Sequence, residues 1–175
     1  MFTDNEPLSL ENYNPDWSQL YEQEENLLKK CLADYIVDIQ HIGSTSVPGL
    51  AAKPVIDIQI TVDNIDNISK YLPELGRIDY VTSAPNTLQF LCKSNNHKFH
   101  LYIEKRDSNE GIRRIVFRDY LRANPRGAQE YENLKRAMAE KFSDDPSAYV
   151  DAKTAFITLA LCMYDQSKAW SGPTC

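Results

Sequence analysis

The chain has 175 residues, 42% of them apolar and 25% charged, which suits one ordinary globular domain. That balance excludes a disordered chain, a collagen-like repeat and a simple coiled coil. A formal net charge of −6 argues against a non-specific nucleic-acid coat, because phosphate repels an acidic chain at long range.

In chain order, Asn14-Pro15 reads as a helix cap with proline at the first helical position. Trp17, Leu20, Tyr21, Leu27, Leu28 and Cys31 recur at helical spacing, predicting a helix over 15–33. Tyr35–His41 alternates as a strand and runs into the turn-rich stretch Gly43-Ser44-Thr45-Ser46-Val47-Pro48-Gly49. Val55–Val62 is the clearest strand, with apolar Val55, Ile58 and Ile60 and, between them, polar Asp57 and Gln59 sharing one face. A short helix is predicted over 64–75, closed by Gly76, followed by strands at 88–93 and 98–104 joined through Ser94-Asn95-Asn96. Helices then occupy 110–123, 126–142 and 147–168, broken at Asn124-Pro125 and at Ser143-Asp144-Asp145-Pro146. The predicted fold is α+β: a small mixed sheet with helices packed on one side and a C-terminal helical part, forming one domain over 1–170 with a loose tail at 171–175.

Cys31, Cys92, Cys162 and Cys175 are widely separated and form no C-x-x-C pair. Scattered single cysteines suit a reducing cytosol, where they pack as small apolar residues. The N-terminus is acidic and no 18-residue apolar run occurs, so a cytoplasmic protein with no membrane partner is expected. Charge is uneven: residues 105–126 carry 7 basic and 3 acidic side chains, a local patch suited to an anionic small molecule.

The chemistry concentrates around Gly43-Ser44 and, thirteen residues beyond Ser44, Asp57. A Gly-Ser turn at a strand end offers backbone N–H groups and a hydroxyl to phosphate oxygens. An aspartate on the next strand can hold a Mg²⁺ that bridges the same phosphates. His100 and Tyr102 share the polar face of their strand, and His100, with an ordinary pKa of about 6.5, is suited to general-base work. Arg114, Arg118 and Arg122 fall on one i, i+4, i+8 row of a helix, and guanidinium forks suit phosphate or carboxylate. Lys135 and Lys153 sit on later helices and can converge on the same cleft. Lys53 and Thr45 are candidate phosphate ligands, and His41, Gln59 and Tyr102 candidate pocket members. Each has a structural alternative: Lys53 as a surface lysine, His41 as a hydrogen-bonded core histidine, Asp119 as a partner for a neighbouring arginine.

Gly-Ser followed by an acidic strand resembles the signature of the nucleotidyltransferase superfamily. The longer segment Asp38-Ile39-Gln40-His41-Ile42-Gly43-Ser44-Thr45-Ser46-Val47-Pro48-Gly49-Leu50-Ala51-Ala52-Lys53-Pro54-Val55-Ile56-Asp57-Ile58 resembles the core motif of the GrpB family. Phe99–Ile103, Phe117-Arg118-Asp119-Tyr120-Leu121-Arg122 and the pattern Tyr131, Leu134, Lys135, Tyr149, Lys153, Ala155, Phe156 resemble that family's later blocks in order, so the likeness covers roughly 10–165. It implies a nucleotidyltransferase-like fold without fixing a reaction; a related domain occurs fused to dephospho-coenzyme A kinases in some bacteria. The sequence departs from the superfamily at Gln59, where a second carboxylate is usual, and from the family at Tyr102, where a second histidine is usual. Asp57 is then the one acidic ligand, which disfavours a two-metal mechanism.

Three functions follow from these residues. The first is a nucleotide-dependent transferase, with an ATP-like nucleotide at Gly43, Ser44, Thr45 and Lys53, Mg²⁺ on Asp57, and an acidic small substrate on the arginine row with Lys135 and Lys153. It would transfer a nucleotidyl group or activate a carboxylate for ligation. The alternative is a non-catalytic nucleotide- or anion-binding module of the same fold, and the third is a structural domain with no ligand.

Overall fold

The structure, a computed structural model, describes residues 9–32, 34–82, 90–142 and 146–168, with the backbone alone at 146–147, 149–151, 163 and 165–168. Ala33, the strand start at Leu88-Gln89, the break at Ser143-Asp144-Asp145, the side chain of Tyr149 and the tail 171–175 lie outside the described residues.

Helix α1 (Asp16–Leu32) is entered through Asn14, whose side chain accepts the amide hydrogen of Asp16 at 2.9 Å. Its buried residues Trp17, Glu24, Leu28 and Leu32 make one face. Strand β1 (Asp38–Ile42) follows, then a 3₁₀ turn over Ser44–Ser46, strand β2 (Val55–Val62) and helix α2 (Ile68–Arg77). Gly76 lies inside α2 rather than closing it: its backbone takes the right-handed helical region, and the helix stops one residue later. Strands β3 (Val81–Thr82), β4 (Phe90–Ser94) and β5 (Lys98–Lys105) complete a five-stranded mixed sheet of order β1-β2-β5-β4-β3. The two-residue β3 carries no alternation long enough to be read from sequence.

The predicted C-terminal helices are α3 (Asn109–Ala123), α4 (Pro125–Lys141) and α5 (Pro146–Lys168). Ser108 caps α3 by accepting from the Gly111 amide at 3.2 Å, and Asn124 caps α4 by accepting from the Gly127 amide at 3.0 Å. Pro125 stands at the first position of α4, where a missing N–H costs nothing.

Strand alternation decides what each sheet face meets. Ile56, Ile58, Ile60 and Val62 of β2, with Phe99, Leu101 and Ile103 of β5, join Trp17, Leu28 and Leu32 of α1 and Ile68, Tyr71 and Leu75 of α2 in the main core. The opposite face carries the polar residues of the same strands and meets α3, behind which Tyr120, Leu121, Tyr131 and Ala160 form a second core with Val47 and Leu50. Cys92 is buried and Cys31 part-buried, both free thiols as expected. Cys162, by contrast, is disulfide-bonded, a correction to the expectation of four free thiols. No helix among the described residues is long and apolar enough to cross a membrane.

Candidate functional site

β2 and β5 run parallel with Asp57 opposite His100 and Gln59 opposite Tyr102, while β1 places Ile42 opposite Asp57 and Gln40 opposite Gln59. These partnerships bring the expected polar residues into one patch beside the end of β1. There the chain turns at Gly43, with φ +70° and ψ −175°, a region open in practice to glycine. A methyl group on its α-carbon would overlap the Asp57 carboxylate, so glycine is what lets this turn pass close over Asp57.

Ser44 borders a cavity of about 230 Å³ lined by Gly43, Asp57, Tyr102, Arg114, Arg118 and Lys153 on its polar side. Ile42, Phe117, Leu121, Tyr131 and Ile157 make the apolar wall. Three cations therefore face one carboxylate. The volume lies below the ~300–1,000 Å³ of drug-sized ligand pockets, so the space suits part of such a ligand rather than all of one.

Asp57 Oδ1 lies 3.3 Å from His100 Nδ1, with both side chains about a quarter exposed. Burial works against charge on His100, but hydrogen bonding to Asp57 and to Cys92 outweighs it and lifts the pKa to about 10. An imidazolium donates from both nitrogens and accepts from neither. The general base expected at His100 is therefore presented as a counter-ion to Asp57. Arg114 lies over the Tyr102 ring at 4.4 Å and donates to Glu104 at 2.6 Å. Arg118, 7% exposed, donates to Gln40 at 2.7 Å, to the His41 carbonyl at 3.0 Å and to Asp119 at 2.8 Å, which pins α3 to the end of β1.

Several expected members lie elsewhere. Gln59 does not rim the cavity: it is buried under the first turn of α3, its amide donating to the Gly111 carbonyl at 3.3 Å. Thr45 is buried and donates to the Val55 carbonyl at 3.1 Å, so its hydroxyl joins the two ends of the turn. Lys53 is half-buried in the loop before β2 and outside the lining. Arg122 donates from Nε and Nη2 to the Ser46 carbonyl at 3.0 and 2.7 Å, and lines a neighbouring cavity of about 420 Å³ with Val47–Leu50. Lys135 reaches Ser44 Oγ from below at 3.1 Å and also donates to the Ala51 carbonyl. Burial pushes its pKa down to about 7, opposed by Glu132 and assisted by Lys153 and Arg136. Sequence reading missed the apolar wall, in which Phe117 and Tyr131 entered only as members of family-like blocks, and it missed Gln40 and Glu104 as arginine partners.

A divalent ion held by protein groups alone does not fit this arrangement. Among the described residues no three His, Cys, Asp or Glu side chains are grouped to hold one, and the second carboxylate position is the buried Gln59. Asp57 fits as the one carboxylate for an ion that arrives on phosphates, the usual manner of Mg²⁺.

His41 takes its structural alternative. It is 8% exposed, stacks on Tyr21 at 4.6 Å, and its Nε2 lies 3.1 Å from Thr45 Oγ1. Burial lowers its pKa to about 4, with Arg122 and Arg118 adding to the effect and Asp57 opposing it. The folded chain thus keeps His41 neutral while the unfolded chain protonates it near pH 6.5. Its penalty is absent above that value and grows as pH falls toward 4, to about 3 kcal/mol at ~1.36 per pH unit. Urea unfolding at pH 7 and pH 4.5 should show this loss, and His41→Gln should flatten it; identical slopes in the two proteins would remove His41 as the cause.

UPF0157 protein YqkA of Bacillus subtilis (strain 168) is 34% identical over 164 residues, covering 90% of this chain and 46% of that protein; the chain spans about half the length of that relative. The crystal structure of conserved protein GrpB from Enterococcus faecalis superposes with a TM-score of 0.82 at 33% identity, over 93% of this chain and 100% of that one. Terminal uridylyl transferase 4 from Trypanosoma brucei, described with bound UTP, superposes with a TM-score of 0.56 at 14% identity over 93% of this chain and 54% of that one, a likeness of fold. The family profile described as GrpB protein matches residues 7–162, and the chain belongs to the GrpB family.

Proposed function

We propose that the cavity binds a nucleoside triphosphate by its phosphates and that the protein transfers a group from it to a small acidic substrate. The observation that carries this reading is the meeting of the Gly43-Ser44 turn, Asp57, Arg114, Arg118 and Lys153 around one cavity with an aromatic wall. Phosphate oxygens take the positive side, where guanidinium groups offer paired donors. The apolar wall of Phe117 and Tyr131 receives a flat apolar group. A Mg²⁺ travelling with the phosphates would be held at Asp57 and would supply neutralisation of their charge. The fold shared with a uridylyl transferase described with bound UTP supports nucleoside triphosphates as the class to screen.

The presence of one carboxylate, with Gln59 buried, favours a second reading: a module that binds nucleotide or anion without transferring anything. Thermal denaturation with nucleoside triphosphates, with and without Mg²⁺, tests binding. At a ligand concentration ~100-fold above Kd the midpoint should rise by roughly 5–10 °C. Ser44→Asp sets a carboxylate against the phosphates and should abolish the rise, and Asp57→Asn should remove the part that depends on Mg²⁺. A rise of the same size in Ser44→Asp would overturn the assignment of the turn. Release of pyrophosphate on adding small carboxylic acids separates transfer from binding alone.

A further inference from the structure

Ser44 and Lys135, 91 residues apart, meet with Oγ and Nζ at 3.1 Å. Lys135 is 2% exposed, and its hydrogen bonds among the described residues go to Ser44 Oγ and the Ala51 carbonyl, both neutral oxygens. The charges facing it are Glu132 and Arg136 from α4 and Lys153 from α5. Glu132 is itself engaged, accepting from the Ala51 amide at 2.9 Å and from Arg136 at 3.0 Å. A buried amine without a close counter-ion loses its proton readily, and burial brings the pKa of Lys135 down to about 7. The neutral amine can give a hydrogen to the Ala51 carbonyl and keep its lone pair for the Ser44 hydroxyl. Ser44 in turn lies at the cavity wall, just past the sharp turn at Gly43, with Arg114, Arg118 and Lys153 on the same lining.

We infer that Ser44 is a nucleophile and Lys135 its base, poised to attack an electrophilic phosphorus delivered to the cavity, a use of the site that rests on the nucleotide reading above for its natural substrate. With a nucleoside triphosphate, a bond forms between Ser44 Oγ and the α-phosphorus. The bond from that phosphorus to the bridging oxygen breaks, pyrophosphate leaves with the electron pair, and the hydroxyl proton ends on Lys135 as ammonium. A carboxylate oxygen of the acidic substrate then displaces Ser44 from phosphorus, and Ser44 recovers its proton from Lys135. The cations of the lining stabilise the charge that develops on the phosphoryl oxygens.

Diisopropyl fluorophosphate tests nucleophilicity without relying on any nucleotide. Oγ displaces fluoride, so intact mass should rise by one diisopropylphosphoryl group, mapped by peptide sequencing to Ser44, with none on Ser44→Ala. The labelling rate of the unaltered chain should climb with pH about a midpoint near 7, a reading that needs no variant to fold. Lys135→Met, checked for its fold by circular dichroism, should label slower by about a hundredfold or more. Absence of label on Ser44, a rate indifferent to pH between 5.5 and 8.5 (about 1.5 units on either side of the expected midpoint), or an unchanged rate in Lys135→Met would each overturn the pair. Nucleotide binding without Ser44 labelling sinks this inference and leaves the proposed function standing. Labelling without nucleotide binding does the reverse.

Discussion

Glu24→Ala is expected to lower the unfolding free energy by about 3–5 kcal/mol, the range for stripping one partner from a buried ion pair. Glu24 on α1 and Lys93 on β4 are each 7% exposed, and Nζ lies 2.9 and 3.0 Å from the two carboxylate oxygens. The rings of Tyr80 and Phe99 stand 5.6 and 5.5 Å from the same Nζ, leaving a lone ammonium no water to turn to. At ~2–4 °C per kcal/mol for a chain of this size, the thermal midpoint should drop by roughly 10 °C. The paired change Glu24→Leu with Lys93→Met removes both charges and should recover most of the loss, because the desolvation cost of the pair disappears with it. Urea denaturation of the unaltered chain and the two variants checks both statements; a loss under about 1 kcal/mol in Glu24→Ala would mean that the pair is solvated like an ordinary surface bridge.

Gly43→Ala should damage both fold and site. At φ +70° and ψ −175° an L side chain costs about 1–3 kcal/mol in backbone strain alone, and the new methyl group would push the Asp57 carboxylate from its place. Nucleotide affinity should fall at least about tenfold, equivalent to ~1.4 kcal/mol, with a lower thermal midpoint. Gly49→Ala is the control. Its φ is +82°, yet nothing lies within 4 Å of the position a Cβ would take, so it should show strain of ~1 kcal/mol and unchanged affinity. Equal losses of affinity in the two variants, measured by calorimetry, would separate the site from the closeness of Gly43 to Asp57.

The sequence by itself determined the elements whose signals are local. Alternation in Val55–Val62 and in 98–104 put Asp57 with Gln59, and His100 with Tyr102, on common faces, and the cap at Asn14 marks a helix start that the structure keeps. The stretch from Asp38 to Ile58, matched as a whole, carried the family and with it the nucleotidyltransferase-like fold. Single residues were less informative: Gly76 looks like a helix stop, but a glycine takes the helical region as readily as the left-handed one.

Only the tertiary structure decided which polar groups meet. Gln59 and His41 sit on strands as plainly as Asp57 does, yet α3 descends on Gln59 at Gly111 and α1 brings Tyr21 over His41, so both are buried and lost to the cavity. The contacts of Lys93 with Glu24, Arg118 with Gln40 and Lys135 with Ser44 span 69, 78 and 91 residues. Periodicity and capping report the chain's bonding to itself over one or two turns, whereas burial and pairing of a charge depend on the element that arrives opposite. That arrival is fixed by the packing of the two cores against the sheet, and no pattern within a single helix or strand encodes it.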